Sequence, residues 1–224
     1  MKQIIAGEDK FTRGEELANA ISHMAGALLG VAALVLMVVY SARTGTAWHI
    51  VSSAVFGATL IILYLSSMFT HWLPAGRTKE FFFTMDQIAI FMLIAGTYTP
   101  LALITLHGAF GWVIFGIEWG LAIAGIAIKL MKPVKYAAGV GTFYIILYAS
   151  MGWLVLIALV PLIKILPLMG WMWILIGGIC YTAGIYFFKA ARFRYAHLVW
   201  HLFVLAGSIS HFMAIFFYII DIKV

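Results

Sequence analysis

Seven apolar stretches, each long enough to cross a bilayer, follow one another along the 224 residues with little between them. They run at about residues 17–40, 49–69, 85–106, 110–130, 137–160, 166–188 and 196–220. A hydrocarbon core about 30 Å thick needs roughly 20 apolar residues per helix, and every stretch meets that requirement. The connections are short and carry turn residues: Arg43-Thr44-Gly45, Pro74-Ala75-Gly76, Gly108, Lys132-Pro133, Pro161 and Pro167. The expected fold is an all-α membrane protein, a seven-transmembrane helix bundle. It forms a single domain over residues 1–224, with a short polar segment at 1–16.

Composition excludes the other classes. Hydrophobic residues make up 65% of the chain and charged ones 10%, whereas a soluble domain carries about a quarter charged residues. The single cysteine, Cys180, rules out a disulfide scaffold, and the excess of Leu, Ile, Val and Phe rules out disorder. A formal charge of +6 in a soluble protein would suggest nucleic acid. Here the placement of so few charges matters more than their sum, and no nucleic-acid partner is expected. The first 16 residues are of mixed sign, with Lys2, Glu8, Asp9, Lys10, Arg13, Glu15 and Glu16, and the apolar run behind them is too long for a signal core. No cleavage is expected.

Basic residues set the expected orientation. The amino terminus has Lys2, Lys10 and Arg13; the second loop has Arg77 and Lys79; the fourth has Lys129, Lys132 and Lys135; the sixth has Lys189, Arg192 and Arg194. Only Arg43, Lys164 and Lys223 fall on the other side, so 11 of the 14 basic residues share one face. Cytoplasmic loops retain Lys and Arg, which predicts a cytoplasmic amino terminus and an outside carboxyl terminus. G-protein-coupled receptors and microbial rhodopsins run the other way. The last span also lacks a lysine for a retinal Schiff base.

Ionisable residues inside spans are costly and point to function. His71 ends the second span, Asp86 begins the third, and His197 and His201 begin the seventh. The alternating direction of the spans puts all four at one depth. At 100° and 1.5 Å per residue, His197 and His201 lie about 40° and 6 Å apart on one helix face, a separation from which two imidazoles can grip one ion. Ser67 sits one turn before His71 on the same face. Three imidazoles with an open fourth position describe a catalytic zinc site, and four closed protein ligands a structural one. Asp86 would be the fourth ligand or would hold the water. Without a thiolate cluster, zinc is favoured over metals that prefer softer ligands. The competing reading is that these histidines simply hydrogen-bond between helices.

Other polar residues divide by position. Glu16, Asn19 and His23 recur at i, i+3 and i+7 on one face of the first helix, where they either brace the site or cap and pack the helix. His211 is about 15 Å along the helix from His201, too far to share an ion, and reads as a bundle or pocket residue. His49 and His107 are expected at the outer surface, solvated. Glu118 lies within the fourth span and is expected to face a wet cavity or a neighbouring helix. Gly116-x-x-x-Gly120 and Gly177-Gly178 suggest close helix packing. Trp48, Trp72, Trp112, Trp153, Trp171, Trp173 and Trp200 suggest interfacial belts and lipid-facing surface.

These residues resemble the hemolysin III family, the bacterial branch of the progestin and adipoQ receptor family. The matching features are Glu16, Asn19 and His23; Ser67-x-x-x-His71 with Asp86 after it; Gly96-Thr97-Tyr98-Thr99-Pro100; and His197-x-x-x-His201 followed by His211-Phe212. The likeness covers nearly the whole chain. It implies a seven-helix bundle with Zn2+ held by His71, His197 and His201, Asp86 contacting the ion through water, and Ser67 close by. It also implies kinship with alkaline ceramidases, and thus hydrolysis of lipid amides. Eukaryotic receptors of this family carry a sizeable amino-terminal domain, where this sequence has about 16 residues.

The expected function is a zinc-dependent hydrolase in the bacterial inner membrane, acting on a lipid-like amide or ester that enters from the bilayer. Asp86 would act as proton acceptor and donor, and Ser67 would hydrogen-bond the developing oxyanion. Membrane lipids are the expected partners. The alternative is a non-enzymatic channel, a membrane-perturbing cytolysin, or a regulator of membrane lipid composition and energetics, with a structural zinc.

Overall fold

The computed structural model describes residues 11–131, 139–189 and 191–223. Lys2, Lys10, Lys132, Lys135 and the expected start of the fifth span at Ala137 lie outside the described residues. Within them, seven helical rods are long and apolar enough to cross a membrane, and no strand occurs. The first four are α1 (Arg13–Thr44), α2 (Ala47–Trp72), α3 (Arg77–Pro100, prolonged by a π-helical stretch Leu101–Leu106) and α4 (Gly108–Met131). The fifth is composite: α5 (Thr142–Gly152), a 3-10 stretch Trp153–Ala158, and α6 (Leu159–Ile165). Then come α7 (Leu168–Lys189) and α8 (Ala196–Ala214), the latter ending in a π-helical stretch Ile215–Ile219.

Local chemistry explains where the rods start and break. The α1 helix begins four residues before the apolar run, because Thr12 and Glu15 form a capping box. At 32 residues it is about 48 Å long, so its ends project beyond a 30 Å core. Pro100 lacks an N–H, and there the α3 ladder gives way to π-type pairing. The sharp turn into α4 uses His107 and Gly108, both at positive φ, a conformation glycine adopts at little cost.

The fifth rod differs from the continuous helix expected over 137–160. The Tyr98 hydroxyl reaches across from α3, accepts the Val155 N–H at 2.6 Å, and offers its proton to the carbonyls of Met151 at 3.1 Å and Gly152 at 2.9 Å. A side chain inserted into the helical ladder breaks it. Pro161, expected in a connection, stands instead in the first turn of α6, where a missing N–H is harmless.

α1 packs on α2, α2 on α3, α7 on α8, and α8 closes against α1. α3 is the most enclosed rod. The core gathers Met37, Phe56, Leu60, Leu63, Tyr64, Leu93 and Val204, while Leu28, Ile123, Ile157 and Phe217 point outward. Such an apolar exterior suits lipid. Glycine spacing divides unexpectedly. A Cβ at Gly177 would run into the His211 ring, whereas one at Gly116 or Gly120 would meet nothing within 4 Å among the described residues. The expected close packing therefore holds at Gly177 and fails at Gly116-x-x-x-Gly120.

Candidate metal centre

Three rods bring their polar ends together where α1 begins. α2 contributes Ser67, Thr70 and His71 from its last two turns, and α8 contributes His197 and His201 from its first two. The Glu16, Asn19, His23 face of α1 lies against them, with all three residues buried.

The ligand atoms of His71, His197 and His201 all lie within 4.8 Å of one another. Nitrogens about a tetrahedral ion at 2.0–2.1 Å are separated by roughly 3.4 Å, so small inward rotations suffice to bring all three onto one ion. Ring orientation favours this. The His71 and His197 planes are inclined at 54°, His71 and His201 at 67°, and His197 and His201 at 60°, so the planes intersect.

Hydrogen bonds fix which nitrogen each ring presents. Asn19 O accepts from His201 Nδ1 at 3.2 Å, and the Ser22 hydroxyl, which donates to the same carbonyl at 2.7 Å, lies 3.0 Å from Nδ1. A carbonyl only accepts, so Nδ1 carries the proton and Nε2 keeps its lone pair. His71 Nδ1 meets Glu16 Oε2 at 2.5 Å, and the same reasoning puts the proton of that ring on Nδ1. Histidine that ligates a metal commonly donates its other N–H in this manner. The donor set therefore fits a divalent ion.

His23 is excluded from that set by geometry. Its ring lies 3.5 Å from His201 and only 13° from parallel. A ligated ion lies in the plane of each imidazole, and two nearly parallel planes this far apart share no nearby point. Among the described residues neither His23 nitrogen has a hydrogen-bond partner, nor does either polar side-chain atom of Asn19.

Asp86 and Ser67 line the same cavity as the three histidines. The cavity, about 410 Å³, follows α8 from His197 through Val204 and His211 to Ile219. Its wall is chiefly apolar, and Gly152, Leu156, Leu159, Ile163 and Thr182 on its side are exposed.

The expectations for His49 and for three of the tryptophans are corrected. His49, expected to be solvated, is 2% exposed. Its Nδ1 lies 3.1 Å from Thr46 N at the start of α2, and its Nε2 lies 2.7 Å from Ile222 O. Capping a helix while tethering the chain's last turn buries it. Trp153, Trp171 and Trp200 line the cavity instead of forming only an outer belt, while Trp48, Trp72 and Trp112 are exposed. His211 also lines the cavity, with Nε2 3.2 Å from Ile174 O. Glu118 is fully buried, and its oxygens have no hydrogen-bond partner among the described residues.

Sequence reasoning missed Phe11 and Lys79. The Phe11 ring lies 4.8 Å from His197 and 6.0 Å from His71. Lys79, counted among the loop charges, is 3% exposed and donates to Glu16 Oε1 at 2.6 Å. No sequence signal distinguished it from Arg77.

Comparison with known proteins identifies the family. The family model for Haemolysin-III related proteins matches residues 11–212. Hemolysin-3 of Bacillus cereus is 40% identical over 206 residues, 92% of each chain. The Hemolysin-3 homolog of Bacillus subtilis is 41% identical over 212 residues, 95% of this chain and 98% of its own. More distantly, the human monocyte to macrophage differentiation factor is 28% identical over 222 residues, 95% of this chain and 88% of its own. No solved structure matches. A three-histidine group at one end of a seven-helix bundle, matched along nearly the full length, makes this chain a multi-pass membrane protein that belongs to the hemolysin III family.

Proposed function

We propose that the protein is a zinc-dependent hydrolase of a lipid amide or ester, working in the bacterial inner membrane. The observation that carries this reading is the continuity of the site. The three histidines, Asp86 and Ser67 line a long apolar cavity whose side, at Gly152, Leu156, Leu159, Ile163 and Thr182, is exposed and in a membrane would face lipid. A volume of about 410 Å³ lies within the range of small-molecule pockets, and its apolar wall suits a hydrocarbon chain.

Zinc held by His71, His197 and His201 would polarise the substrate carbonyl and acidify the attacking water. Asp86 accepts the proton of that water and returns it to the leaving amine or alcohol. Ser67, one turn before His71, would donate a hydrogen bond to the developing oxyanion. The apolar wall keeps bulk water away and binds the acyl chain. Glu16 on His71, and Ser22 with the Asn19 carbonyl on His201, hold the rings in the tautomer a metal requires.

The test uses purified protein in lipid vesicles offered a panel of N-acyl amides and phospholipids, with release of fatty acid read by mass spectrometry. Expected is release that a chelator abolishes and that Asp86→Asn reduces by at least about 100-fold, the lower range for loss of a general base. Full turnover by Asp86→Asn overturns the assignment. The second reading rests on the Hemolysin-3 name of the Bacillus cereus relative. Under it, the same vesicles would leak or conduct without releasing fatty acid, and conductance would persist with His197 and His201 both replaced by alanine.

A further inference from the structure

We propose that Lys79 is a positioning residue of the metal centre and that its charge does more than set orientation; this rests on the reading of His71 as a ligand. Lys79 lies in the first turn of α3, two residues after exposed Arg77, yet it is 3% exposed. Its Nζ reaches Glu16 Oε1 at 2.6 Å, and the other oxygen of that carboxylate, Oε2, meets His71 Nδ1 at 2.5 Å. Lys79, Glu16 and His71 thus form one line of contacts joining α3, α1 and α2.

A carboxylate with one oxygen held can still swing about its last torsion, which is broad for glutamate. With both oxygens held by groups from different helices, it has one orientation, and Nδ1 of His71 is fixed with it. The imidazole then presents Nε2 to its neighbours on α8. Glu16 has little solvent to substitute for the lysine, being 7% exposed. Removing Lys79 takes away the partner that α3 gives to Oε1, and the carboxylate's hold on the His71 ring is loosened.

The test is metal affinity, measured by competition with a chromogenic chelator for zinc and by the visible spectrum of the cobalt-substituted protein. Contacts of this outer kind typically carry 10- to 100-fold in affinity. Lys79→Met is expected to weaken zinc binding by about that factor and to alter the cobalt band. Lys79→Arg, which keeps a charged donor, should restore most of the affinity. Arg77→Met removes an equal charge from the same turn and should leave affinity unchanged. If Lys79→Met does not fold, Lys79→Gln carries the same comparison.

Unchanged affinity in the Lys79 variant overturns the proposal. So does an equal loss in Arg77→Met, because the effect would then belong to the loop's charge. A native chain that takes up no metal overturns the metal reading itself, a result distinct from either.

Discussion

The His23 ring stacks on that of His201 at 3.5 Å and 13° from parallel. This relationship separates the fourth imidazole from the three whose planes cross. His23→Phe keeps the stack and removes both nitrogens. It is expected to retain the full metal stoichiometry, whereas His71→Ala, His197→Ala and His201→Ala each lose the metal. Elemental analysis of the purified variants decides. A His23→Phe protein without metal would make His23 a ligand after a rearrangement.

Phe11 predicts a kinetic effect. Its ring covers His197 and His71, and it is pinned there by the capping box of α1 and by Glu15, which accepts the Tyr195 N–H at 3.0 Å. Phe11→Ala is expected to leave stoichiometry intact and to speed metal loss to excess chelator several-fold. Equal rates in the two proteins would show that metal leaves by another route.

Tyr98 predicts a loss of stability. Phenylalanine at 98 keeps the ring but leaves the Val155 N–H without its acceptor inside the bundle. A cost of about 1–2 kcal/mol is expected from one unsatisfied backbone donor. Bundle interiors often show less, near the lower figure. Unfolding in mixed micelles, comparing Tyr98→Phe with the native chain, measures it.

Legibility followed the reach of each physical signal. Rod number and approximate limits were readable, because bilayer thickness imposes an apolar length that sequence shows directly. Helical spacing paired His197 with His201, and alternation of direction brought His71 and Asp86 to their end. The break in the fifth rod was not readable, because its cause is a hydroxyl on α3, 57 residues from Val155. Lys79 escaped for the same reason: a positive charge beside a span looks the same in sequence whether it meets water or a buried carboxylate. His49 was misjudged because its partner, Ile222 O, lies 173 residues away.

Orientation offers a prediction that the helices themselves do not fix. With 11 of 14 basic residues on one side, a reporter active only in the cytoplasm should be silent when fused after Val224, and one active only outside should be bright. The reverse pattern would place the histidines at the outer leaflet.

The glycines give the last contrast. All of the small-residue pairs look alike in sequence, yet only some have a neighbour. At Gly177 a methyl group would occupy the place of the His211 ring, which is held by the Ile174 carbonyl and packs on Tyr181. Gly177→Ala is therefore expected to cost about 1–3 kcal/mol, the range for an overpacked interior, and to displace His211 into the cavity. Gly116→Ala and Gly120→Ala put a methyl group where none of the described residues lies within 4 Å. Each should be neutral or stabilising by up to about 1 kcal/mol, since alanine is the better helix former. Thermal unfolding of the three variants reads the difference. If Gly116→Ala or Gly120→Ala proves as damaging as Gly177→Ala, that face of α4 is covered in the membrane, and a second copy of the chain becomes the first partner to look for.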